Sequence, residues 1–379
     1  MKVVVAIDSF KGCLTSLEAG NCIREASEDI SDASVKVFAI ADGGEGTVEA
    51  LMRCMKGTEV EVEVTGPLGD KVTAVYGMME DQKFAFMEMA NVAGITMVSS
   101  RSKNPMNTTT YGVGEMILDA AQRGCREFLI GIGGSATNDG GLGMLTALGV
   151  NFYSEDGKKT GVYGRDVAKV AKVDFSNMAE VLKECHFTIM SDVTNPLCGP
   201  MGSSAIFGPQ KGATPKTVEQ MDAGLEKYAQ LICQATGKDC ADMEGAGAAG
   251  GLGYAFLTFL NTTLESGVSY LLNAIHLEDE IKDADIVITG EGKLDVQTAM
   301  GKAPAGIAAM AKKHGALVLA FTGATSEDAE ACNKAGMDAY FSICRGPMTI
   351  EEAMEKDTAK QNLRMTVHQV FNLIAQLKK

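Results

Sequence analysis

Residues 284–292 read ADIVITGEG. A short run of β-branched and apolar residues stops at a glycine–glutamate–glycine turn. Unbroken apolar runs of this length, bounded by turn residues, mark strands covered on both faces in a parallel sheet. The chain opens in the same way: KVVVAI (2–7) runs into Asp8, and VKVFAI (35–40) runs into ADGGEG. Between these two lies TSLEAGNCIREASEDI, a predicted helix with Thr15 and Glu18 at capping-box spacing. A second helix is predicted over GTVEALMRCM (46–55). Beyond ADIVITGEG the texture holds. ALVLAFTG (316–323) and DAYFSI (338–343) read as further buried strands between helices, and TAKQNLRMTVHQVFNLIAQLKK closes the chain as an amphipathic helix. Alternation of strand and helix makes a doubly wound α/β unit. Its two halves stand at opposite ends of the sequence.

The stretch between them differs. TEVEVEVTGPLGDKVTAVYGMM (58–79) alternates apolar and polar residues about GPLGD, the pattern of a hairpin with one wet face. FAFMEMANVAGI reads as a continuation of that antiparallel sheet. Helices are expected over TYGVGEMILDAAQRG (110–124), PKTVEQMDAGLEKYAQLICQATG (215–237) and GGLGYAFLTFL (250–260), and strands over EFLIGI (127–132) and CHFTIMSD (185–192). The expected organisation is one α/β domain, residues 1–66 plus 283–379, with a second domain, 67–282, inserted into it.

Bulk composition agrees with two or three domains. The 379 residues are 46% hydrophobic and 22% charged, which is ordinary globular usage. The net charge is −15 and no cluster of Lys and Arg stands out, so nucleic acid is not an expected partner. No two of the ten cysteines form a C-x-x-C pair, and with four dispersed histidines they make no zinc set. They read as reduced thiols. The opening apolar run is too short for a signal peptide, and no run reaches the ~20 apolar residues of a membrane span. A cytoplasmic protein is expected.

Apolar runs repeatedly end in acidic, glycine-bearing turns: Asp8, then Asp42 and Glu45, then Asp139, Asp192, and finally Glu291 and Asp295. In open α/β sheets, ligands sit beyond the carboxyl ends of the strands. Two carboxylates ~4 Å apart repel by about 4 kcal/mol at an effective dielectric of 20, so carboxylates gathered in one crevice need a cation or protons. Mg²⁺ suits such a place, because it accepts a few carboxylate oxygens and completes its shell with water and phosphate. Glycines let backbone N–H groups approach phosphate oxygens. Lys11, Lys211 and Lys293 lie in the same motifs and could offset phosphate charge. The combination describes phosphoryl transfer from a nucleotide. An aspartate after a strand is equally an ordinary turn or N-cap residue.

GIGGSATNDGG (131–141) is the densest of these turns. GIGGSA fits the dinucleotide fingerprint after a strand, with Glu155 at the distance of a ribose-binding acid. An NAD-dependent oxidoreductase acting on a small hydroxy acid is therefore the alternative reading. Against it, TNDGGLG interrupts the place where the helix should begin, and Asp139 would repel a pyrophosphate. GAGAAG (245–250) fits the same pattern but follows no strand. The preferred reading is a loop for nucleotide or substrate phosphate, with Ser135, Thr137 and Asn138 as donors. No G-x-x-x-x-G-K-[ST] occurs, so this is not a P-loop.

DSFKG (8–12), ADGGEGT (41–47), TTTYGVGE (108–115) and GIGGSATNDGGLGML (131–145) are followed in order by SDVTNPLCGP (191–200), FGPQKGA (207–213), GAGAAGGLG (245–253) and VITGEGKLDVQTAMGKAP (287–304). In these motifs the whole chain resembles the bacterial glycerate kinase family (type 1, glycerate 2-kinase), which is neither P-loop nor ribokinase-like. Ile7 stands where proline is expected, and Lys293 where arginine is commoner; lysine offers a point charge in place of a bidentate fork. The resemblance implies a flavodoxin-like, Rossmann-like parallel-sheet domain with a second mixed-sheet α/β domain inserted, and an active site in the cleft between them. It implies ATP and Mg²⁺ as cofactors, D-glycerate as substrate and 2-phosphoglycerate as product. A non-catalytic small-acid-binding protein is a third reading, and the oligomeric state is monomer or homodimer. On this basis Asp192 or Asp139 is the candidate base, and Lys11 or Lys293 faces an anion. Asp42, Glu45, Glu291 and Asp295 are the candidate metal ligands. Asp8, Ser9, Gly43, Gly44, Gly133, Gly134, Ser135, Thr137, Asn138, Asn195, Gln210, Lys211 and Gly290 are candidate substrate or nucleotide contacts.

Overall fold

The computed structural model describes residues 1–10, 12–30, 32–40, 57–79, 83–266, 270, 272–273, 275–300 and 302–377. In chain order the elements are β1 (Lys2–Ile7), α1 (Ser16–Glu28), β2 (Ser34–Ala39), β3 (Thr58–Thr65), β4 (Lys71–Met78), β5 (Phe84–Glu88), α2 (Tyr111–Gln122) and β6 (Glu127–Gly131). Next come β7 (Asn151–Tyr153), β8 (Lys172–Asp174), β9 (His186–Met190), α3 (Pro215–Thr236), α4 (Ala248–Phe259) and β10 (Thr262–Glu265). The last are β11 (Ile286–Thr289), β12 (Lys293–Leu294), α5 (Ala303–Lys313), β13 (Leu317–Thr322), β14 (Ala324–Thr325), β15 (Ala339–Ser342) and α6 (Lys356–Leu377). The helix expected at 46–55 lies outside the described residues. Contacts divide the chain into two units, Met1–Asp42 with Val268–Lys379, and Gly43–Gly267.

The first unit is a five-stranded parallel sheet in the order β15-β13-β11-β1-β2. Numbered by appearance within the unit and read from β2, this is 2-1-3-4-5, the flavodoxin order. β1 and β11 are central, and Val3 to Ile7 and Val287 to Ile288 have no exposed surface. β2 and β15 are less buried than their sequences led us to expect, because both are edge strands with a partner on one side only. α1 begins at the expected capping box: Glu18 N donates to Thr15 Oγ1, and Thr15 N donates to Glu18 Oε2, each at 3.2 Å. Its apolar positions Ala19, Ile23 and Ala26 join the cluster that holds Leu363, Val367 and Phe371 of α6. Ion pairs border that contact, from Lys356 and Lys360 to Glu18 and from Arg364 to Asp29.

The second unit has a six-stranded mixed sheet, β10-β9-β6-β5-β4-β3. β5, β6, β9 and β10 run parallel, whereas β3 and β4 form the antiparallel hairpin. The boundary expected at residue 66 would cut that hairpin, whose turn is closed by Gly66 N donating to Asp70 O at 2.7 Å. β5 pairs antiparallel with β4 over only two residues and parallel with β6 over five, so FAFME is the first strand of a parallel array and not the end of a meander. Phe128 and Phe187 stack at 4.8 Å between centroids in the core of this unit. α4 departs from its expected form. Ala249, Gly250 and Gly251 are left-handed, and regular helix starts only beyond them.

Candidate functional site

In the first unit, the sheet reverses its winding between β1 and β11, which is where flavodoxin-order sheets leave a crevice at the carboxyl ends. Asp8 follows β1, is 5% exposed, and its N–H donates to Gly290 O at 2.9 Å. Its Oδ1 accepts from Ser9 N at 2.6 Å. Gly290 has φ 148, and a Cβ there would lie 1.8 Å from Phe321 O, so no other residue fits between these strand ends. Glu291 Oε1 accepts from Thr298 Oγ1 at 2.6 Å, and Oε2 stands 3.8 Å from Lys302 Nζ. Lys293 is exposed on β12. Asp295 has a structural position: its Oδ1 accepts from Gln297 N at 3.0 Å and Thr298 N at 3.2 Å as the N-cap of the next helix. Among the described residues no group of three or more His, Cys, Asp or Glu could hold a metal ion. Lys11, Asp42, Gly43, Gly44 and Glu45 lie outside the described residues.

In the second unit, the loop after β6 is anchored on several sides. Met89 N donates to Gly131 O, Ile95 N to Gly134 O and Ala136 N to Ala93 O, at 2.8 to 2.9 Å. Thr108 Oγ1 donates to Ala136 O at 3.0 Å. Gly133 and Gly134 remain exposed at the tip, so their backbone is what a ligand could meet. The other side of the loop lies against the 245–253 run. Gly140 N donates to Gly250 O at 2.9 Å, and a Cβ on Gly250 would stand 2.1 Å from Thr137 O.

Asp139 is turned into the interior of its unit. It has no exposed surface, and its Oδ2 accepts from Thr110 N and Thr110 Oγ1 at 2.8 Å and from Gly143 N at 3.2 Å. Oδ1 accepts from Gly141 N at 3.2 Å. Burial pushes its carboxyl pKa up, and these four donors pull it back. With these four donors it brackets the loop. Asn138, 1% exposed, is likewise internal: Nδ2 donates to Ser204 Oγ at 2.9 Å and Oδ1 accepts from Ser203 Oγ at 3.3 Å. Lys211, expected to meet an anion directly, is 3% exposed. Its Nζ donates to Ser135 Oγ at 2.7 Å and to Thr137 O at 2.6 Å. Asn195 Nδ2 donates to Met201 O at 2.8 Å, in keeping with a turn residue, and Gln210 is exposed. Asp192, just beyond β9, is exposed, and its Oδ1 accepts from Ser266 Oγ at 2.9 Å.

Two groups were missed. Glu88 ends β5 directly beside Gly131 in register and is only 4% exposed. It obeys the same rule as the other acids, an apolar run ending in a carboxylate, but a meander would not have put it at a carboxyl edge. Thr108 to Thr110 are the buried donors and acceptors that shape the loop from below. As for the dinucleotide alternative, no helix starts within the glycine run. The next helix begins at Leu142, and Glu155 is an exposed turn residue 3.7 Å from Lys227.

Residues 3–375 match the model of the glycerate kinase family. The glycerate kinase of Haemophilus influenzae is 43% identical over 99% of both chains. The glycerate 2-kinase of Escherichia coli is 42% identical over 93% of both. A crystal structure of a Salmonella typhimurium chain named as glycerate kinase 2 superposes with a TM-score of 0.87 at 42% identity, covering 100% of this chain and 99% of that one.

Proposed function

We propose, for a chain that belongs to the glycerate kinase family, that it transfers the γ-phosphoryl group of ATP to D-glycerate, with the 2-hydroxyl as acceptor. The observation that carries this reading is the near-full-length match to relatives named glycerate kinase and glycerate 2-kinase. A feature found within each unit supports it. Each presents a glycine-bearing turn at the carboxyl ends of parallel strands, and the reaction has two anionic ligands to hold.

Within this reading, the exposed backbone of Gly133 and Gly134 seats one of those anions by its N–H groups. Asp8, Ser9 and Gly290 form the wall of the switch point that receives the other. Lys293 faces an anion as a point charge. Asp192 accepts the proton of the attacking hydroxyl as the new O–P bond forms and the bond from phosphorus to the ADP oxygen breaks. Mg²⁺, when bound, supplies charge neutralisation across the phosphates. The donor chemistry fits through Glu291, a hard carboxylate, and fits less well through Asp295, whose Oδ1 already caps a helix. Such an ion relies on phosphate and water for the rest of its shell. A reducing, cytoplasmic setting belongs to the same reading, since the described cysteines are all free thiols.

The test is direct. The protein is incubated with ATP, Mg²⁺ and D-glycerate, ADP release is followed, and the phosphate position is read by ³¹P NMR. Glycerate-dependent ADP with a 2-phosphate signal is expected. A 3-phosphate signal overturns the regiochemistry, and no glycerate-dependent ADP overturns the kinase reading. In a parallel sample with NAD⁺, glycerate should give no NADH absorbance.

A further inference from the structure

Lys211 stands at the end of a short turn, Pro209–Lys211, that follows a helix bearing Ser203 and Ser204. The turn is closed by Lys211 N donating to Gly208 O and Gly212 N donating to Pro209 O, both at 3.0 Å. It sends the lysine inward, onto the buried side of the 131–141 loop. There Nζ has two hydrogen-bond acceptors, Ser135 Oγ and Thr137 O, and both are neutral. An ammonium so placed is costly, because two neutral acceptors replace bulk water poorly. Among the described residues, Asp139 is the titratable group whose charge acts on it, and four donors already surround that carboxylate. A glutamine amide, with two N–H donors, could supply hydrogen bonds to the same two acceptors without a charge. A lysine adds positive potential directly behind the loop.

The geometry points to Lys211 as a positioning residue. From the buried side of the loop it holds Ser135 and Thr137 in place, and its charge favours an anion seated on Gly133 and Gly134 without touching that anion. This rests on the reading of the loop as an anion seat and adds the device that tunes it. Burial lowers the Lys211 pKa to about 7, with Asp139 opposing the shift. A neutral amine keeps two N–H donors, so both hydrogen bonds survive in either protonation state. What changes with the proton is the field at the loop. An anion arriving on the exposed side stabilises the ammonium, and a proton is taken up from the buffer.

The experiment is calorimetric. D-glycerate, and separately ADP with Mg²⁺, is titrated into the full chain near neutral pH in buffers of different ionisation enthalpy. One of the two ligands should be accompanied by uptake of roughly half a proton per site at pH ~7.5, fading toward pH ~6, where the lysine is already charged. Lys211→Gln should bind that ligand more weakly and lose the uptake; the ligand's own ionisation is common to both proteins and cancels in the difference. If Lys211→Gln does not fold, Lys211→Arg, charged throughout, must likewise show no uptake, and the wild-type pH profile reads the effect without any variant. Gly133→Val separates the two levels, because it obstructs the exposed face of the tip. If it leaves the binding of both ligands intact, the loop is not the anion seat and the proposal falls with that reading. If it abolishes binding of one ligand, yet wild type and Lys211→Gln show equal proton linkage, the loop stands and the role of Lys211 is overturned.

Discussion

Asp139 and Asp192 follow neighbouring parallel strands, β6 and β9, and in the sequence each ends an apolar run in a turn. The fold treats them differently. Asp139 has no exposed surface and accepts four hydrogen bonds, three from backbone N–H groups. Asp192 is exposed and accepts from a serine hydroxyl. A carboxylate surrounded by donors of its own chain is a piece of architecture; one that meets solvent can exchange a proton with a substrate. Position at a strand end cannot separate the two. The donors can, and in Asp139 they come from glycines two and four residues on and from Thr110.

The widest test of this contrast is Asp192→Asn. It should lower kcat by about 10²–10⁴ with KM for glycerate little changed and the melting temperature unmoved. A near-normal kcat would remove Asp192 from the chemistry and leave the two aspartates distinguished only by burial. Next comes Asp139→Asn, which turns one acceptor oxygen into an NH₂ group facing donors. A stability loss of ~3 kcal/mol is expected in urea unfolding. Stability equal to the parent's would show that the bracket is dispensable.

Smaller, and sharper in form, is the pH dependence contributed by Lys211. Its folded pKa of about 7 lies below the ordinary 10.5, so between those values the unfolded chain binds the extra proton. Stability on this account rises with pH through that window, by up to ~1.4 kcal/mol per pH unit, and the gain is absent below it. Lys211→Met should flatten the rise measured between pH 7 and 9; an unchanged slope would place its origin elsewhere. The smallest effect is expected at Glu18, well outside either loop. The Lys356 ammonium, with help from Thr15 N–H and Lys360, holds its carboxyl at about 2 against an ordinary 4.5. Its contribution is present above the ordinary value and lost as pH falls toward 2. Because the group is only partly buried and solvent screens its ion pairs, Glu18→Gln should cost under ~1 kcal/mol at pH 7. A larger loss would mean that the α1–α6 contact depends on that ion pair more than exposure suggests.

Much of the architecture was legible because burial on both faces leaves an unbroken apolar run, as in Val3 to Ile7 and Ile286 to Thr289. α1 was legible from Thr15 and Glu18, a local signal that tertiary contacts did not override. Edge position was not, since the sequences of β2 and β15 resemble those of central strands and only the pairing order exposes them. The direction of β5 was hidden for a related reason. Parallel or antiparallel pairing depends on a partner more than thirty residues away, and Glu88 was missed with it. The loop motif was conspicuous in the sequence, but the roles within it were not. Asn138, Asp139 and Lys211 are polar residues of the kind that bind ligands, and they are engaged with Ser203, Ser204, Thr110, Ser135 and Thr137 instead.

The close approach of Gly250 to Thr137 has a practical corollary for anyone wishing to transplant this loop. A Cβ at 250 would stand 2.1 Å from a carbonyl that also receives the lysine, so the loop's contour is written partly in a segment more than a hundred residues downstream. Moving 131–141 alone to another scaffold would carry the motif and lose its mould. A working graft would need the threonine triplet, the lysine turn and the distant glycine run to travel together.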